Sequence, residues 1–383
     1  MPVTFKHPWM GIAIPSIIIL YLQISTTYVI FNDPINLKSR WFLFFQFSNI
    51  MLWISYHLAI VTPAGSPKDD FKLPDSEFKQ PQTMWRKYCV KCKNYKPERT
   101  HHCKKCGKCI LRMDHHCPWT NNCIGYHNLP HFMRFLVWIL VTITYGFIYF
   151  CGRIWKLIQI RNLPSYFIST SFLTIFIINI LLISFVLLTI SILFIRCVAS
   201  IISNQTMIEQ WECERIQDNF FTEKFWEDVR SNYSKLYPDK PDPIPNLKTW
   251  KVNYRELKKN TKIPWNFTYE DLVFPYDLGS SYENLVDSLG PIYLWMYPFG
   301  HASGDGTVFV KDKLKEDQLN LPFPPDGSNS DPADFIDVHA VNEDTIDDYN
   351  EKTVKSWSNF MGETLDDFGV DLETEDYELS KSK

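Results

Sequence analysis

The chain has 383 residues, with 39 lysines and arginines against 43 aspartates and glutamates, which gives a formal net charge of -4. This mild negative charge argues against nucleic acid as a partner, because phosphate-binding surfaces need an excess of basic residues. Aromatic residues make up 16% of the chain, a content typical of membrane proteins with tryptophan and tyrosine at the bilayer interface.

Four apolar stretches, residues 9–31, 41–61, 135–151 and 171–195, are long enough to cross a bilayer as helices. A buried core helix is the alternative for each, and the third stretch can begin earlier, with Arg134 reaching back to the headgroups. The first stretch has no evident small-residue cleavage site and a second span follows closely, which favours an anchor over a signal peptide. The sequence therefore predicts an α-helical polytopic membrane protein with four transmembrane helices.

The segment between the second and third spans is the basic part of the chain. Residues 62–134 hold 14 lysines and arginines against 6 acidic residues, whereas the links 32–40 and 152–166 hold two and three basic residues. The positive-inside rule places this segment in the cytosol, with both termini on the same side. Seven of the ten cysteines also lie in it, and metal-binding thiolates persist in a reducing compartment.

Composition divides the chain into five predicted regions. Transmembrane helices 1 and 2 fill residues 1–61, a cytosolic cysteine-rich zinc domain fills 62–134, and helices 3 and 4 fill 135–195. A cytosolic C-terminal module is predicted for 196–330, with a loose linker as the alternative. Residues 331–383 hold 16 acidic and 4 basic residues and are predicted to be disordered, although the stretch "TLDDFGVDLE" can also be a partner-binding peptide.

A cluster of cysteines and histidines follows the second span. It reads C-x2-C from Cys89, H-C-x2-C-x2-C from His102 and D-H-H-C from Asp114, with a last cysteine at Cys123. A C-x2-C pair can place two thiolates on one tetrahedral zinc, which then needs two further ligands. Two sites of three cysteines and one histidine need six cysteines, and the segment has seven. Spacing alone leaves open which of the overlapping C-x2-C pairs after His102 joins which site.

Cys117 is the cysteine predicted to stay free of zinc. It follows His116 and lies beside Asp114 and His115, which are the parts of a Cys-His-Asp nucleophile arrangement. A histidine base raises the thiolate fraction of a thiol whose pKa is ordinarily about 8.5. In an extended chain the two histidines point to opposite sides, so one can face zinc while the other faces the thiol. The alternative is an all-cysteine zinc site that uses Cys117 as a ligand.

The whole run resembles the cysteine-rich domain of the DHHC family of protein S-acyltransferases, also called palmitoyltransferases. It fits C-x2-C-x9-H-C-x2-C-x2-C-x4-D-H-H-C-x5-C-x4-N-x3-F without a gap and ends at Asn128 and Phe132. The resemblance implies two structural zinc ions. The implied ligands are Cys89, Cys92, His102 and Cys109 for the first and Cys103, Cys106, His116 and Cys123 for the second.

The resemblance also implies a reaction in two steps, in the manner of a ping-pong enzyme. Cys117 takes an acyl group from a long-chain acyl-CoA such as palmitoyl-CoA and passes it to a cysteine of a client protein, while His115 acts as the base and Asp114 orients it. The opening "HPWMGIAIP" and the later "LDDFGVD" resemble the subgroup of fungal palmitoyltransferases that reside in the endoplasmic reticulum. That subgroup implies the bilayer and membrane proteins of the secretory pathway as partners.

Three further family motifs are present, two of them altered. The motif after the second span is "TPAG" and keeps only Gly65, and the motif after the fourth span is "TMIE", with Met207 in place of a threonine that is thought to contact the catalytic aspartate in the family. In "YDLGSSYENLVDSLG", Asn284 matches the family's C-terminal marker residue.

Five residues are candidates for contact with the acyl-CoA, each with an alternative explanation. Trp119 can press on the pantetheine arm, or can simply be an interfacial tryptophan. Lys96, Arg99 and Arg112 can meet the CoA phosphates, or can be plain positive-inside charge. Thr142 falls at the family's chain-length position, where a small residue suggests room for sixteen carbons or more, although core packing explains a threonine equally well.

Three rival functions compete with the acyltransferase. A catalytically silent zinc-bearing scaffold needs no free thiol, so the intact D-H-H-C argues against it. A transporter or channel is disfavoured because the centres of the spans carry no charged residue. A thioesterase would use the same Cys-His chemistry, and release of free fatty acid would distinguish it.

Overall fold

Four long helices dominate the computed structural model, which describes residues 7–31, 38–72, 88–89, 91–159, 170–219, 223–236, 275–311 and 357–371. Each of the four is long and apolar enough to cross a membrane. They are α1 (Trp9–Phe31), α2 (Lys38–Val61), α3 (Leu129–Gln159) and α4 (Thr170–Ile202). The prediction of a helical polytopic membrane protein with four spans is confirmed.

The third helix begins earlier than the apolar stretch that predicted it, and Arg134 lies in its second turn. The Arg134 side chain is buried and donates hydrogen bonds to the backbone carbonyls of Tyr297, Pro298 and Gly300. The expectation that this side chain reaches the lipid headgroups is therefore wrong, because a C-terminal segment supplies its acceptors.

Hydrogen bonds between polar side chains join the spanning helices inside the bundle. Ser25 Oγ of α1 donates to Asn179 Oδ1 of α4 at 2.8 Å, and Trp53 Nε1 of α2 donates to Gln23 Oε1 of α1 at 2.9 Å. Such pairing matters because hydrocarbon offers no alternative partner to a polar group. The outer face of α4 is exposed and apolar, as a lipid-facing surface is, at Leu181, Phe185, Leu188, Ile192 and Ile195.

Between α2 and α3 the chain forms three small antiparallel hairpins. The first pairs β1 (Tyr88–Cys89) with β2 (Asn94–Tyr95), the second pairs β3 (His101–Cys103) with β4 (Lys108–Ile110), and the third pairs β5 (His115–Cys117) with β6 (Asn122–Ile124). Two-stranded hairpins of this length are not stable alone. Their ligand-bearing loops, and a core shared with the ends of the spanning helices, hold them in place.

The chain after α4 continues as α5 (Met207–Asn219) and α6 (Glu223–Leu236), followed later by α7 (Ser281–Leu289) and a short 3-10 turn (Ile292–Leu294). The side chain of Asn284 in α7 is buried and donates to the carbonyl of Ile202 at 2.7 Å. This family marker residue thus ties α7 to the end of α4. The division of the chain into five domains stays a prediction.

Residues 357–371, called here the C-terminal strap, pack against the hairpins. Leu365, Phe368 and Val370 are buried, and Val370 forms a β-bridge with Cys103. Disorder was predicted for this stretch, and the structure differs because these three apolar side chains have a surface to cover. The rest of the predicted tail, 331–356 and 372–383, lies outside the described residues.

Candidate active site and metal centres

Eight cysteine and histidine side chains gather into two groups of metal-ligand type. The ligand atoms of each group lie within 4.8 Å of one another. The first zinc group is Cys89, Cys92, His102 and Cys109, and the second zinc group is Cys103, Cys106, His116 and Cys123. The ambiguity between overlapping C-x2-C pairs is resolved, since Cys103 and Cys106 stay together and Cys109 joins the other group.

The spacing within the groups fits zinc. Tetrahedral zinc, with bonds of about 2.3 Å to sulfur and about 2.0 Å to nitrogen, separates those ligand atoms by about 3.5 Å. His102 Nδ1 lies 3.3, 3.3 and 3.9 Å from its three sulfur atoms, and His116 Nδ1 lies 3.6, 3.4 and 3.6 Å from its three. Two groups of three thiolates and one imidazole therefore fit structural zinc.

Local hairpin geometry explains how this spacing arises. The register places His102 opposite Cys109 and His116 opposite Cys123, so each hairpin stem supplies a facing pair of ligands. Each C-x2-C turn supplies the other pair, and the amide of its second cysteine donates to the sulfur of the first at 3.4 and 3.3 Å. In β3 the neighbours His102 and Cys103 point to opposite faces, so that one strand serves both groups.

Cys117 belongs to neither zinc group, and all seven cysteines of this region are described. In strand β5 it lies on the same face as His115, whereas His116 points the other way to zinc. His115 Nδ1 donates to Asp114 Oδ2 at 2.7 Å, and the interaction with the Cys117 thiol also raises the pKa of the imidazole. The three predicted catalytic side chains are thus brought together at one place in the structure.

The electrostatics of this trio favour an ion pair. Burial disfavours the imidazolium, but the hydrogen bonds to Asp114 and Cys117 outweigh burial and raise the pKa of His115 to about 10. Burial likewise opposes the thiolate, yet the hydrogen bond and charge of His115 hold the pKa of Cys117 below its ordinary value. The arrangement is therefore suited to present a thiolate beside an imidazolium.

The start of α5 supports Asp114 through the backbone. The amide N–H of Met207 donates to Asp114 Oδ1 at 2.8 Å. Thr206 and Glu209 form a capping box, in which the amide of Glu209 donates to Thr206 Oγ1 at 3.2 Å and the amide of Thr206 donates to Glu209 Oε2 at 2.8 Å. An amide in the first turn of a helix is a good donor to a carboxylate. The altered "TMIE" motif thus keeps its contact, because no side chain at position 207 is needed.

We expect Met207→Pro to slow formation of an acyl-enzyme on the order of 10- to 100-fold, a typical cost of losing a group that orients a ligand or base. Proline removes this N–H but suits the first position of a helix. Met207→Ala is the matched control, since it deletes the side chain and keeps the donor. Single-turnover labelling with palmitoyl-CoA measures both rates, and equal rates for the two variants would exclude this role for the amide.

The "TPAG" turn after α2 also contacts the hairpins through its backbone. The carbonyls of Ala64 and Gly65 accept from the amides of His127 at 3.1 Å and Leu111 at 3.2 Å. Gly65 has a φ of +99°, and a Cβ there would lie 2.4 Å from the His127 ring, so only glycine fits. Because the other contacts use the backbone, the departures at Pro63 and Ala64 leave the turn intact.

Three predicted acyl-CoA contacts are incompatible with their positions. Lys96, Arg99 and Arg112 are only 1%, 4% and 2% exposed. Arg99 donates to both carboxylate oxygens of Glu209 at 2.7 and 2.6 Å, and its Cζ lies over the rings of Tyr276 and Phe309, 4.5 and 5.0 Å from their centroids. Arg112 donates to Asn204 Oδ1 at 2.6 Å and Ser288 Oγ at 2.7 Å. Arg99 and Arg112 join the hairpins to the turn after α4 and to α5 and α7, and none of the three buried cations faces a solvent-borne phosphate.

Of the two remaining predicted contacts, Trp119 is exposed and Thr142 is buried among the spanning helices. Trp119 is 39% exposed, next to the buried Cys117, and its carbonyl accepts from the Tyr56 hydroxyl of α2 at 2.9 Å. Thr142 lines a cavity of about 40 Å³ between the four spanning helices. The lining is mostly apolar and includes Ile19, Leu52, Ile139, Ile143 and Ile183.

Sequence reasoning missed several supports of the site. The capping box could have been found from its T-x-x-E pattern. Tyr56 and the Met207 amide could not, since a tyrosine in a spanning helix and a backbone donor carry no pattern of their own.

Comparisons with known proteins agree with this geometry. The family model described as DHHC palmitoyltransferase matches residues 82–214. A Debaryomyces hansenii protein named palmitoyltransferase PFA4 is 38% identical over 402 residues, which cover 99% of this chain and 97% of that protein. Proteins of the same name from Saccharomyces cerevisiae and Candida albicans are 38% and 35% identical, over 98% of this chain and 100% of each relative.

The chain therefore belongs to the DHHC palmitoyltransferase family. Its activity is protein S-palmitoylation, and it is an acyltransferase embedded in a membrane by four apolar helices. Membership implies acyl-CoA and proteins as its substrates.

Proposed function

We propose that Cys117 carries the acyl group between donor and client. In the first step the Cys117 thiolate attacks the thioester carbon of an acyl-CoA, the new S–C bond forms and the bond to the CoA sulfur breaks. His115, held as an imidazolium by Asp114, donates its proton to the leaving CoA thiolate. The hydrogen bonds that Asp114 accepts from the Met207 amide and from His115, with Cys117 on the same face of β5 as His115, carry this proposal.

In the second step the neutral His115 accepts the proton of a client cysteine. The client thiolate attacks the acyl-enzyme, and Cys117 leaves as a thiolate beside the imidazolium that has just formed. One thioester is exchanged for another in each step, so no energy source besides the CoA ester is required. Zinc supplies no chemistry in this scheme; its ligands hold strand β5, and with it His115 and Cys117, in place.

The donor that fits this site is a long-chain acyl-CoA with its tail among the spanning helices. A sixteen-carbon chain prefers apolar surroundings by on the order of 10 kcal/mol, at about 0.8 kcal/mol per methylene. Thr142 lies 13 residues into α3. At about 1.5 Å per residue, the cavity is therefore about 20 Å from the start of α3, which is the end of the helix on the side of the hairpins and Cys117. That depth suits the far end of a palmitoyl chain, and the helices must separate to admit it.

We expect Thr142→Phe to shift the preference toward shorter chains. Excluding two methylenes costs about 1.6 kcal/mol, or slightly more than tenfold in palmitoyl over myristoyl preference. Thr144→Phe is the matched control, because Thr144 is exposed on the same helix. Competition between the two acyl-CoAs in a single reaction measures the ratio, and an equal ratio in both variants would disprove this placement of the tail.

For the orientation, we propose that the hairpins and both termini lie in the cytosol. The excess of basic residues in 62–134 supports this side, and acyl-CoA and reduced thiols are found there. We further propose the endoplasmic reticulum as the location and membrane proteins of the secretory pathway as clients, on the resemblance to the fungal subgroup. Accessibility of an introduced terminal tag in sealed microsomes tests the orientation.

The decisive experiment locates the acyl group. Purified protein is incubated with a clickable palmitoyl-CoA, digested, and analysed by mass spectrometry with and without hydroxylamine. A hydroxylamine-sensitive acyl group on the peptide that holds Cys117, transferred on addition of a thiol-bearing client, supports the proposal. Release of free fatty acid without transfer indicates a thioesterase, and an unlabelled protein that keeps its zinc indicates a scaffold.

A further inference from the structure

The C-terminal strap touches both sides of the catalytic trio. On one side, the amide of His116 in β5 donates to the carbonyl of Phe368 at 2.8 Å, and the amide of Lys104 donates to the carbonyl of Gly369 at 3.0 Å. The first bond holds β5 at the residue between His115 and Cys117, and the second holds the turn after β3. Because side chains alternate along a strand, fixing its rotation at His116 also fixes the directions of its two neighbours.

On the other side, the strap binds to α4 and α5 through side-chain contacts. Glu363 pairs with both terminal nitrogens of Arg196 at 2.6 Å each, and its carbonyl accepts from Trp211 Nε1 at 2.8 Å. The Trp211 ring also packs edge-on against Trp357, with centroids 5.1 Å apart. Helix α5 is the element whose first amide holds Asp114, so the strap spans from the support of the aspartate to the strand of the base and nucleophile.

The last residue of the strap reaches the first zinc group. The amide of Asp371 donates to the carbonyl of His102 at 3.0 Å, and its carboxylate lies 2.6 Å from Lys91 Nζ and 4.0 Å from His102 Nε2. Charge complementarity therefore adds to the apolar contacts, since an acidic segment lies on a basic domain.

We propose that the C-terminal strap is a positioning element of the acyltransferase site, and the proposal rests on the function assigned to Cys117. The strap holds β5 and the start of α5 in the relative placement in which Asp114 accepts hydrogen bonds from the Met207 amide and from His115, with Cys117 on the same face of β5 as His115. Without it both elements keep their own folds, but the distance between the Asp114 carboxylate and its amide donor is no longer set.

Two glycines of the strap provide a matched test on the full-length protein. Gly369 and Gly362 both have a left-handed backbone, with φ of +84° and +75°, so alanine strains each alike. A Cβ at Gly369 would lie 2.8 Å from His116 Cβ, whereas nothing lies within 4 Å of a Cβ at Gly362. Cys103 Sγ would lie at an ordinary contact distance of 3.7 Å from the same Cβ, so the difference between the two variants reports on the overlap with His116 in β5.

The readout is single-turnover acylation with palmitoyl-CoA in excess, with zinc content measured on the same samples. For Gly369→Ala we expect the rate constant at saturation to fall on the order of tenfold, a typical cost of slight misplacement. The half-saturating concentration, labelled fraction and two zinc ions per chain should match Gly362→Ala. A lower labelled fraction that reacts at the normal rate would overturn the proposal in favour of plain stabilisation, and a faster rate would overturn it in favour of autoinhibition.

A second pair of variants tests the contact of the strap with α4, and it provides the test if Gly369→Ala fails to fold. Glu363→Gln removes the charge that holds Arg196 and should lower the same rate constant. Asp366→Asn is its control, because Asp366 pairs at 3.5 Å with an exposed lysine, Lys104, on the hairpins. Equal rates for the two would refute the proposal. If the wild-type protein itself never labels, the function assigned to Cys117 fails instead.

Discussion

Cys117→Ser should lose acyl-enzyme formation by more than about 100-fold, because a hydroxyl replaces the nucleophilic thiolate. The variant should nevertheless retain two zinc ions per chain, since Cys117 lies outside both zinc groups. Gel fluorescence after incubation with clickable palmitoyl-CoA measures the first expectation, and elemental analysis of the same protein measures the second. Together they separate a lost nucleophile from a lost ligand.

Cys151→Ser is the appropriate control for that experiment. Cys151 is an exposed thiol of α3, so it reports any acylation that results from accessibility alone. Full labelling of this variant is expected. Loss of one zinc ion from Cys117→Ser would contradict the assignment and restore the alternative of an all-cysteine metal site.

Glu209→Gln should destabilise the protein by about 3–5 kcal/mol, the usual cost of leaving one charge of a buried ion pair without its partner. The side chains of Arg99 and Glu209 are 1% and 4% exposed. Burial favours the neutral acid, but the charge of Arg99 outweighs it and holds the pKa of Glu209 below its ordinary value. Glutamine preserves the capping box, so the loss reports the missing charge. The midpoint of thermal unfolding in detergent measures it.

A double variant isolates the reason for this loss. Arg99→Met combined with Glu209→Gln removes both charges and should be less destabilised than the sum of the two single variants. Lys104→Ala is the surface control, since its pair with Asp366 is exposed on both sides and contributes at most about 1 kcal/mol. Strictly additive losses in the double variant would show that burial of unpaired charge is not the cause.

Sequence alone predicted much of this molecule because its signals are local. Apolar runs of bilayer length identify four spans, and C-x2-C spacing indicates metal ligands, although the division of the ligands between two sites came from the resemblance to the family. Counting ligands left one cysteine over, and the neighbouring Asp114 and His115 indicated that it is Cys117. These inferences depend on residues that are close together in the chain.

The interpretation failed where function depends on contacts between distant segments. Arg99 and Arg112 looked like surface cations, and only the fold shows that Glu209, Asn204 and Ser288 surround them. The strap looked like part of a disordered tail because its acidic composition outweighs its few apolar residues. The altered motif at Met207 looked like a defect, since a backbone amide does not appear in a pattern of side chains.

The sharing of strand β3 between the two zinc groups has a consequence for metal supply. His102 belongs to one zinc group and Cys103 to the other. Release of either ion would therefore loosen the strand that supplies a ligand to the second ion. Metal loading and release should then be cooperative, with few singly loaded chains at intermediate zinc concentrations. When zinc is scarce, or when thiols are oxidised, the population would divide into fully assembled enzyme and enzyme without an active site. Total activity would then fall because fewer molecules are active, and each active molecule would keep its full rate.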